Sequence, residues 1–257
     1  MLQDTFDLMP LWAFVAAFGV TLVAGFVKGA IGFAMPLVMI SGLSIFLDPL
    51  VAVAGIVLPI VMSNLLQVMR FSWAEARAAL REFWRYIAVI CVMILIAAQF
   101  VTMIPTQTFY LVLGVPVVIL SLIQLVGVRF HISPAWRRPS EWIVGLISGT
   151  IGGLTGTWGP PTVLYLIALD TPKAKQMLVQ GVVYGLGSVT LFLGHLQSGV
   201  LNSDTAPWSA ALLIPAFLGM RLGFWMSDRM NPVLFRRATL VVLVVAGVNL
   251  VRRGLMG

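Results

Sequence analysis

The chain contains stretches without a single charged side chain that are too long for the interior of a soluble domain: Pro49 to Met69, Tyr86 to Val128, Trp142 to Leu169 and Gln176 to Ser203. Each reaches or exceeds the ~20 residues that carry an α-helix across the hydrocarbon of a bilayer. Hydrocarbon offers no water to a peptide group, so every N–H and C=O must be paired within its own segment or around a closed barrel. The runs lack the period-two alternation of a barrel, which leaves helices. Composition agrees: 60% of residues are hydrophobic and 10% charged, where a soluble domain carries roughly 25% charged residues. The fold class read from these features is all-α and polytopic, with the lipid bilayer as solvent.

A net charge of +7 raises the question of a nucleic-acid partner, and the placement of the basic residues answers it. They fall at the ends of apolar runs and not on one amphipathic face, so they act as topology signals and no nucleic acid is expected. Met1 to Pro10 carries Asp4 and Asp7 but no Lys or Arg, and leads to no small-residue cleavage site. The first apolar segment is therefore expected to stay in the mature chain. The single cysteine, Cys91, excludes an internal disulfide and reads as an inert thiol in an apolar stretch.

The chain also repeats itself. Gly25, Gly29 and Gly32 recur as Gly145, Gly149 and Gly152, and Pro36, Asp48, Pro105 and Gln124 find counterparts, in the same order, in Pro160, Asp170, Pro232 and Asn249. This order predicts two repeats, 1–130 and 131–257, joined near His131 to Ser140. Loop charge then gives their relative orientation, because cytoplasmic loops collect Lys and Arg. The Asp48 connection has no basic residue, the next has Arg70, Arg77, Arg81 and Arg85, and the one around Pro105 has none. In the second half Lys173 and Lys175 follow Asp170, the Gln197 to Pro207 connection is bare, and Arg229, Arg236 and Arg237 surround Pro232. Equivalent loops carry opposite signals, which predicts inverted-topology repeats with the N-terminus outside and the Arg70 to Arg85 loop inside. Arg252 and Arg253 fit this scheme poorly, since they end up outside.

Inverted halves each cross an odd number of times. Three ordinary spans follow each glycine-rich arm, roughly 50–69, 86–104 and 108–128, then 177–197, 206–227 and 233–251, so each arm must be a hairpin. As helix, Trp142 to Leu169 would reach only ~42 Å, short of the ~60 Å of two full spans, and a re-entrant broken pair is expected there. Leu11 to Leu47 is long enough for two tilted spans, and its break, Phe33 to Pro36, is expected to be the shorter one beside Gly153 to Pro160.

Irregular backbone at membrane depth survives only where protein or a water-filled cavity satisfies it, so the breaks mark the expected site. Glycines permit close approach, prolines stop helices, and the broken ends can turn free N–H groups and positive dipole ends toward an anion. The expected substrate-binding residues are Lys28, Gly29, Gly32 and Phe33 from the first arm and Gly152, Gly153, Thr155, Gly156, Thr157 and Trp158 from the second. Lys28 stands out as the only charge between Asp7 and Asp48, where an unpaired cation costs at least ~2.5 kcal/mol. Plainer roles compete: helix packing for Gly25 and Gly145, snorkelling for Lys28, and helix-to-helix hydrogen bonding for Thr150, Asn64, Gln67, Gln99 and Gln180. His195 is expected to be a hydrogen-bonded residue at a helix end, with a proton relay as the alternative, and Arg221 an anchor at the membrane interface.

The segment Gly25-Phe-Val-Lys-Gly-Ala-Ile-Gly-Phe33, its partner Gly149-Thr-Ile-Gly-Gly-Leu-Thr-Gly-Thr-Trp-Gly-Pro-Pro161 and the later Pro215-Ala-Phe-Leu-Gly219 resemble the sulfite exporter TauE/SafE family over essentially the whole chain. The resemblance implies a secondary transporter of sulfite or an organosulfonate such as sulfoacetate in the bacterial cytoplasmic (inner) membrane. Small anion and lipid are then the expected partners, with a homo-oligomer left open, and neither cofactor nor metal is called for. An intramembrane enzyme would need Gly-x-Ser-x-Gly, His-Glu-x-x-His or paired intramembrane Asp, and none occurs. A non-transporting scaffold or assembly subunit would use packing glycines but has no need of broken, inverted arms. No acidic residue is expected deep in a span, which argues against a cation carrier and a carboxylate proton relay.

Overall fold

The computed structural model describes residues 10–128, 131–227, 229 and 231–256. Asp4, Asp7 and the repeat boundary at residue 130 lie outside them. The described chain is helical and contains no strand: α1 (Leu11–Ile31), α2 (Met35–Leu43), α3 (Pro49–Val68), α4 (Trp73–Phe100), α5 (Thr106–Val126), α6 (Arg137–Thr155), α7 (Gly159–Ala168), α8 (Lys173–Gln197), α9 (Ala206–Ala211), α10 (Leu213–Ser227) and α11 (Pro232–Met256). Seven segments among the described residues are long and apolar enough to cross a membrane. Six match the ordinary spans expected from the sequence, and the seventh is Leu11–Ala30. The protein is a multi-pass membrane protein.

Local chemistry sets the helix starts. Asp48 accepts a hydrogen bond from Leu50 N–H at 2.8 Å and caps α3, whose first residue, Pro49, lacks a donor where none is needed. Ser72 and Glu75 form a reciprocal capping box that starts α4 well before the expected residue 86, so the charged turns up to Arg85 extend the helix beyond its apolar part. Inside α3, Pro59 cannot donate to the carbonyl of Gly55. Ser209 on α9 repairs the gap: its hydroxyl donates to Gly55 O at 3.2 Å and accepts from Leu58 N at 3.1 Å.

Each glycine-rich arm is a long helix, a break and a short helix. The first runs through α1 with 21 residues and α2 with 9, the second through α6 with 19 and α7 with 10. At ~1.5 Å per residue α2 measures ~14 Å and is too short for a second span, so of the two arrangements left open for the first arm, two tilted spans are not there. The breaks fall at Gly32 to Ala34 and Gly156 to Trp158, equal in length, contrary to the expectation of a shorter first one. A left-handed glycine, Gly32 with φ 82° or Gly156 with φ 72°, ends each long helix, where a side chain would be strained.

The arms pack crosswise: α1 lies along α10, the second span of the other half, and α6 along α4. A methyl group on Gly25 would sit 2.4 Å from Ala216 O, and one on Gly29 2.3 Å from Met220 O. From the opposite side, methyls on Gly219 and Gly223 would meet Leu22 O and Phe26 O, so these helices touch backbone to backbone. On the other pair, Gly149 and Gly153 face Ile90 O and Ile94 O in the same way. Between these pairs α3 packs on α8, and α5 on α11.

At one end the starts of α4, α6 and α8 are tied by charge. Lys175 reaches Glu82 at 2.7 Å, Arg137 reaches Glu82 at 3.1 Å, and Arg85 reaches Glu141 at 2.6 Å. The Arg77 helix start and the chain after Asp170 therefore lie at the same end, and Asn202 lies beyond the far end of the 25-residue α8. Glu141 is buried among these pairs, its side chain 1% exposed, but it sits near the start of α6 and not deep in a span. Arg253 also finds a place: its guanidinium donates to Ser44 O and, at 2.8 Å, to Tyr110 Oη, and stacks 4.4 Å from that ring. The cation thus satisfies one carbonyl, that of Ser44, at the C-terminal end of α2.

Candidate functional site

The two breaks face each other across one pocket. The first contributes Phe33, Ala34, Pro36 and Leu37, the second Gly156 through Pro160, and Lys28, Asn64 and Tyr184 close it from α1, α3 and α8. The cavity itself is small, about 20 Å3.

Lys28 occupies the last turn of α1, where the negative end of the helix dipole favours a cation. Its side chain is 3% exposed. The ammonium donates to Asn64 Oδ1 at 2.5 Å and lies 5.3 Å from the centre of the Tyr184 ring. No carboxylate among the described residues comes within 4.0 Å of it, so none of the described residues supplies this buried cation with a counter-charge. Positive helix ends also border the pocket, but unequally. Pro36 leaves Met35 and Leu37 with N–H groups in the first turn of α2, whereas Pro160 and Pro161 remove two donors from the first turn of α7 and leave that of Gly159. The expectation of donors at both broken ends therefore holds better for the first arm.

The second break is built from hydroxyls and an indole. Thr155 Oγ1 donates to Ile151 O at 2.7 Å and lies 2.5 Å from Thr157 Oγ1. Trp158 is buried beneath the pocket against Gly187 and Gly152, where a methyl group would come within 3.0 Å of it. A hydrogen-bonded chain fixes the backbone here: Tyr86 Oη donates to Thr162 Oγ1 at 3.0 Å, and Thr162 donates to Trp158 O at 2.7 Å. Tyr184 Oη donates to Gly159 O at 3.2 Å.

Of the residues expected to bind substrate, Lys28, Phe33, Gly156, Thr157 and Trp158 line the pocket. Gly29, Gly32, Gly152, Gly153 and Thr155 do not: Gly29 and Gly153 face neighbouring backbone, Gly152 makes room for Trp158, Gly32 turns the chain, and Thr155 supports Thr157. Asn64, read from the sequence as interhelical glue, belongs to the pocket, while Gln99 does act as glue, donating to Gly194 O at 3.3 Å. Thr150 is exposed and bonds Leu146 O, away from the site. Arg221 is exposed and lies 5.8 Å from the Phe217 ring. His195 is 0% exposed and neither ring nitrogen has a hydrogen-bond partner, contrary to the expectation of a hydrogen-bonded helix-end residue. Tyr184 carried no sequence signal, because it reaches the pocket from a different helix than either break.

A family model described as Sulfite exporter TauE/SafE matches residues 17–250. No curated protein and no solved structure matches the chain.

Proposed function

Because the chain belongs to the sulfite exporter TauE/SafE family, we propose that it exports sulfite or an organosulfonate such as sulfoacetate from the bacterial cytoplasm, by alternating access around the pocket between the two breaks. The observation that carries this reading is Lys28: a buried cation without a counter-charge among the described residues, beside an amide that can donate and next to the donor-bearing start of α2. Binding an anion relieves the cost of the uncompensated ammonium, so the pocket has a physical reason to prefer negative solutes. The Lys175–Glu82 ion pair supports two inverted repeats, 1–130 and 131–257: it puts the starts of α4 and α8 at one end, so α3 starts at the opposite end from its counterpart α8.

Export is the downhill direction for an anion, which gains ~2.3 kcal/mol per charge per 100 mV on leaving an inside-negative compartment. No coupling ion is then required. Glu141, the buried carboxylate, is held by Arg85 at 2.6 Å and acts in this reading as a closure between α4 and α6. In proteoliposomes without sodium and at equal pH, an inside-negative potassium diffusion potential should accelerate sulfite efflux. Lys28→Ala should abolish that efflux, by about 100-fold, and Lys28→Arg should retain part of it. Efflux that ignores the potential and follows a proton gradient would refute the uniport mechanism. For topology, cysteines at Arg77 and Lys175 should label from the cytoplasm and one at Asn202 from outside; labelling of all three from one side eliminates the inverted arrangement.

A further inference from the structure

The hydrogen bonds around the pocket have a direction. A hydroxyl carries one proton. Thr155 gives its proton to Ile151 O, which can only accept, so the 2.5 Å contact between the two threonines must use the proton of Thr157. Thr157 therefore turns toward the pocket it lines with lone pairs and no proton. Asn64 is oriented as well, because the ammonium of Lys28 only donates: the amide oxygen faces Lys28 and the amide nitrogen is left as a donor. The pocket thus offers one positive charge, a small group of donors around Lys28, and hydroxyl lone pairs: those of Thr157 on the opposite arm and, because its proton goes to Gly159 O, those of Tyr184 on α8.

We propose that the transported species is a singly charged oxyanion that still bears a proton, hydrogen sulfite and not the sulfite dianion, and that Thr157 selects it by accepting a hydrogen bond from that proton. This rests on the export reading above and narrows its substrate. A dianion would bring a second negative charge into a site with one cation, and its oxygens would face the Thr157 lone pairs. A sulfonate has the right charge but no acidic proton, so it leaves Thr157 unpaired or forces it to abandon Thr155. Either failure costs one neutral hydrogen bond, equivalent to about tenfold in rate.

The test uses the full chain in proteoliposomes under a fixed potential, with sulfite or methanesulfonate at constant total concentration and symmetric pH stepped through the second ionisation of sulfurous acid near neutrality. Sulfite flux should fall with rising pH in step with the hydrogen sulfite fraction, with one charge moved per sulfur. Methanesulfonate flux should stay flat at about one tenth of the sulfite flux measured at the acid end. Lys28 and Tyr184 are the titratable side chains lining the pocket, and a change in either moves both fluxes alike, so the ratio isolates the substrate's own proton. Thr157→Val should erase the preference and Thr157→Ser should keep it. Sulfite flux that holds or rises with pH, two charges per sulfur, or an unchanged ratio in Thr157→Val would overturn the proposal while leaving anion export standing. Absence of flux for both anions in the unaltered protein would overturn the export reading, and the proposal with it.

Discussion

The two arms solve one backbone problem in the same way and then part in chemistry. Both run a long helix into a left-handed glycine, break, and restart in a short helix with proline in its first turn. Only the first carries a charge at its tip, Lys28, and only the first keeps N–H donors at two of the first three positions of its short helix. The second puts its two prolines there and offers Thr157 in place of a cation. A duplicated scaffold can therefore fix the place of a site symmetrically while its residues make the site asymmetric. In the proposed reading, one arm supplies attraction and the other discrimination.

The contrast can be broken by paired substitutions read as apparent melting temperature in detergent. The largest effect belongs to Asn64→Leu, which removes the amide that accepts from the buried ammonium. A hydrogen bond to a charge is involved, so the loss should be ~2–3 kcal/mol. Next come the glycines that end the long helices. Gly156→Ala places a methyl at positive φ and 2.9 Å from both Ile56 and Ile60, whereas the same change at Gly32 meets nothing within 4 Å. About 2–3 kcal/mol is expected for the former against ~1 kcal/mol for the latter; equal losses would mean that crowding at the second break plays no part. Thr155→Val deletes two neutral hydrogen bonds in the second arm, to Ile151 O and from Thr157, and should cost ~1–2 kcal/mol, less than Asn64→Leu. The smallest change has the opposite sign. Ala34 sits at φ 73° before α2, where the matching Trp158 has an ordinary φ of −86°. Ala34→Gly should gain about 0.5 kcal/mol, and a loss there would show that the methyl group packs more than it strains.

The spans were legible because hydrocarbon imposes one length and one polarity on any helix that crosses it. Lys28 was legible for the same reason, as a lone charge in an apolar arm. What the sequence hid was partnership. Asn64 and Gln99 look alike as amides within spans, yet one faces an ammonium and the other a backbone carbonyl, and only the packing of α3 and α1 tells them apart. Glu141 sits beside the start of an apolar run, and nothing in the sequence pairs it with Arg85 on α4. The glycines were over-read: the same Gly-x-x-x-Gly spacing serves helix contact and chain reversal, and Gly29 and Gly153 serve contact. The direction of the Thr155 and Thr157 protons depends on Ile151 O, a backbone atom that no side-chain pattern reports.

The backbone contact of Gly25 and Gly29 with α10, and of Gly149 and Gly153 with α4, has a mechanical corollary. Where main chains touch, two helices lose the cushion of side chains that lets neighbours slip by fractions of a turn. Each pair then behaves as a strut, stiff along its length, and any compliance must reside elsewhere: at the broken tips and along the contact between α3 and α8.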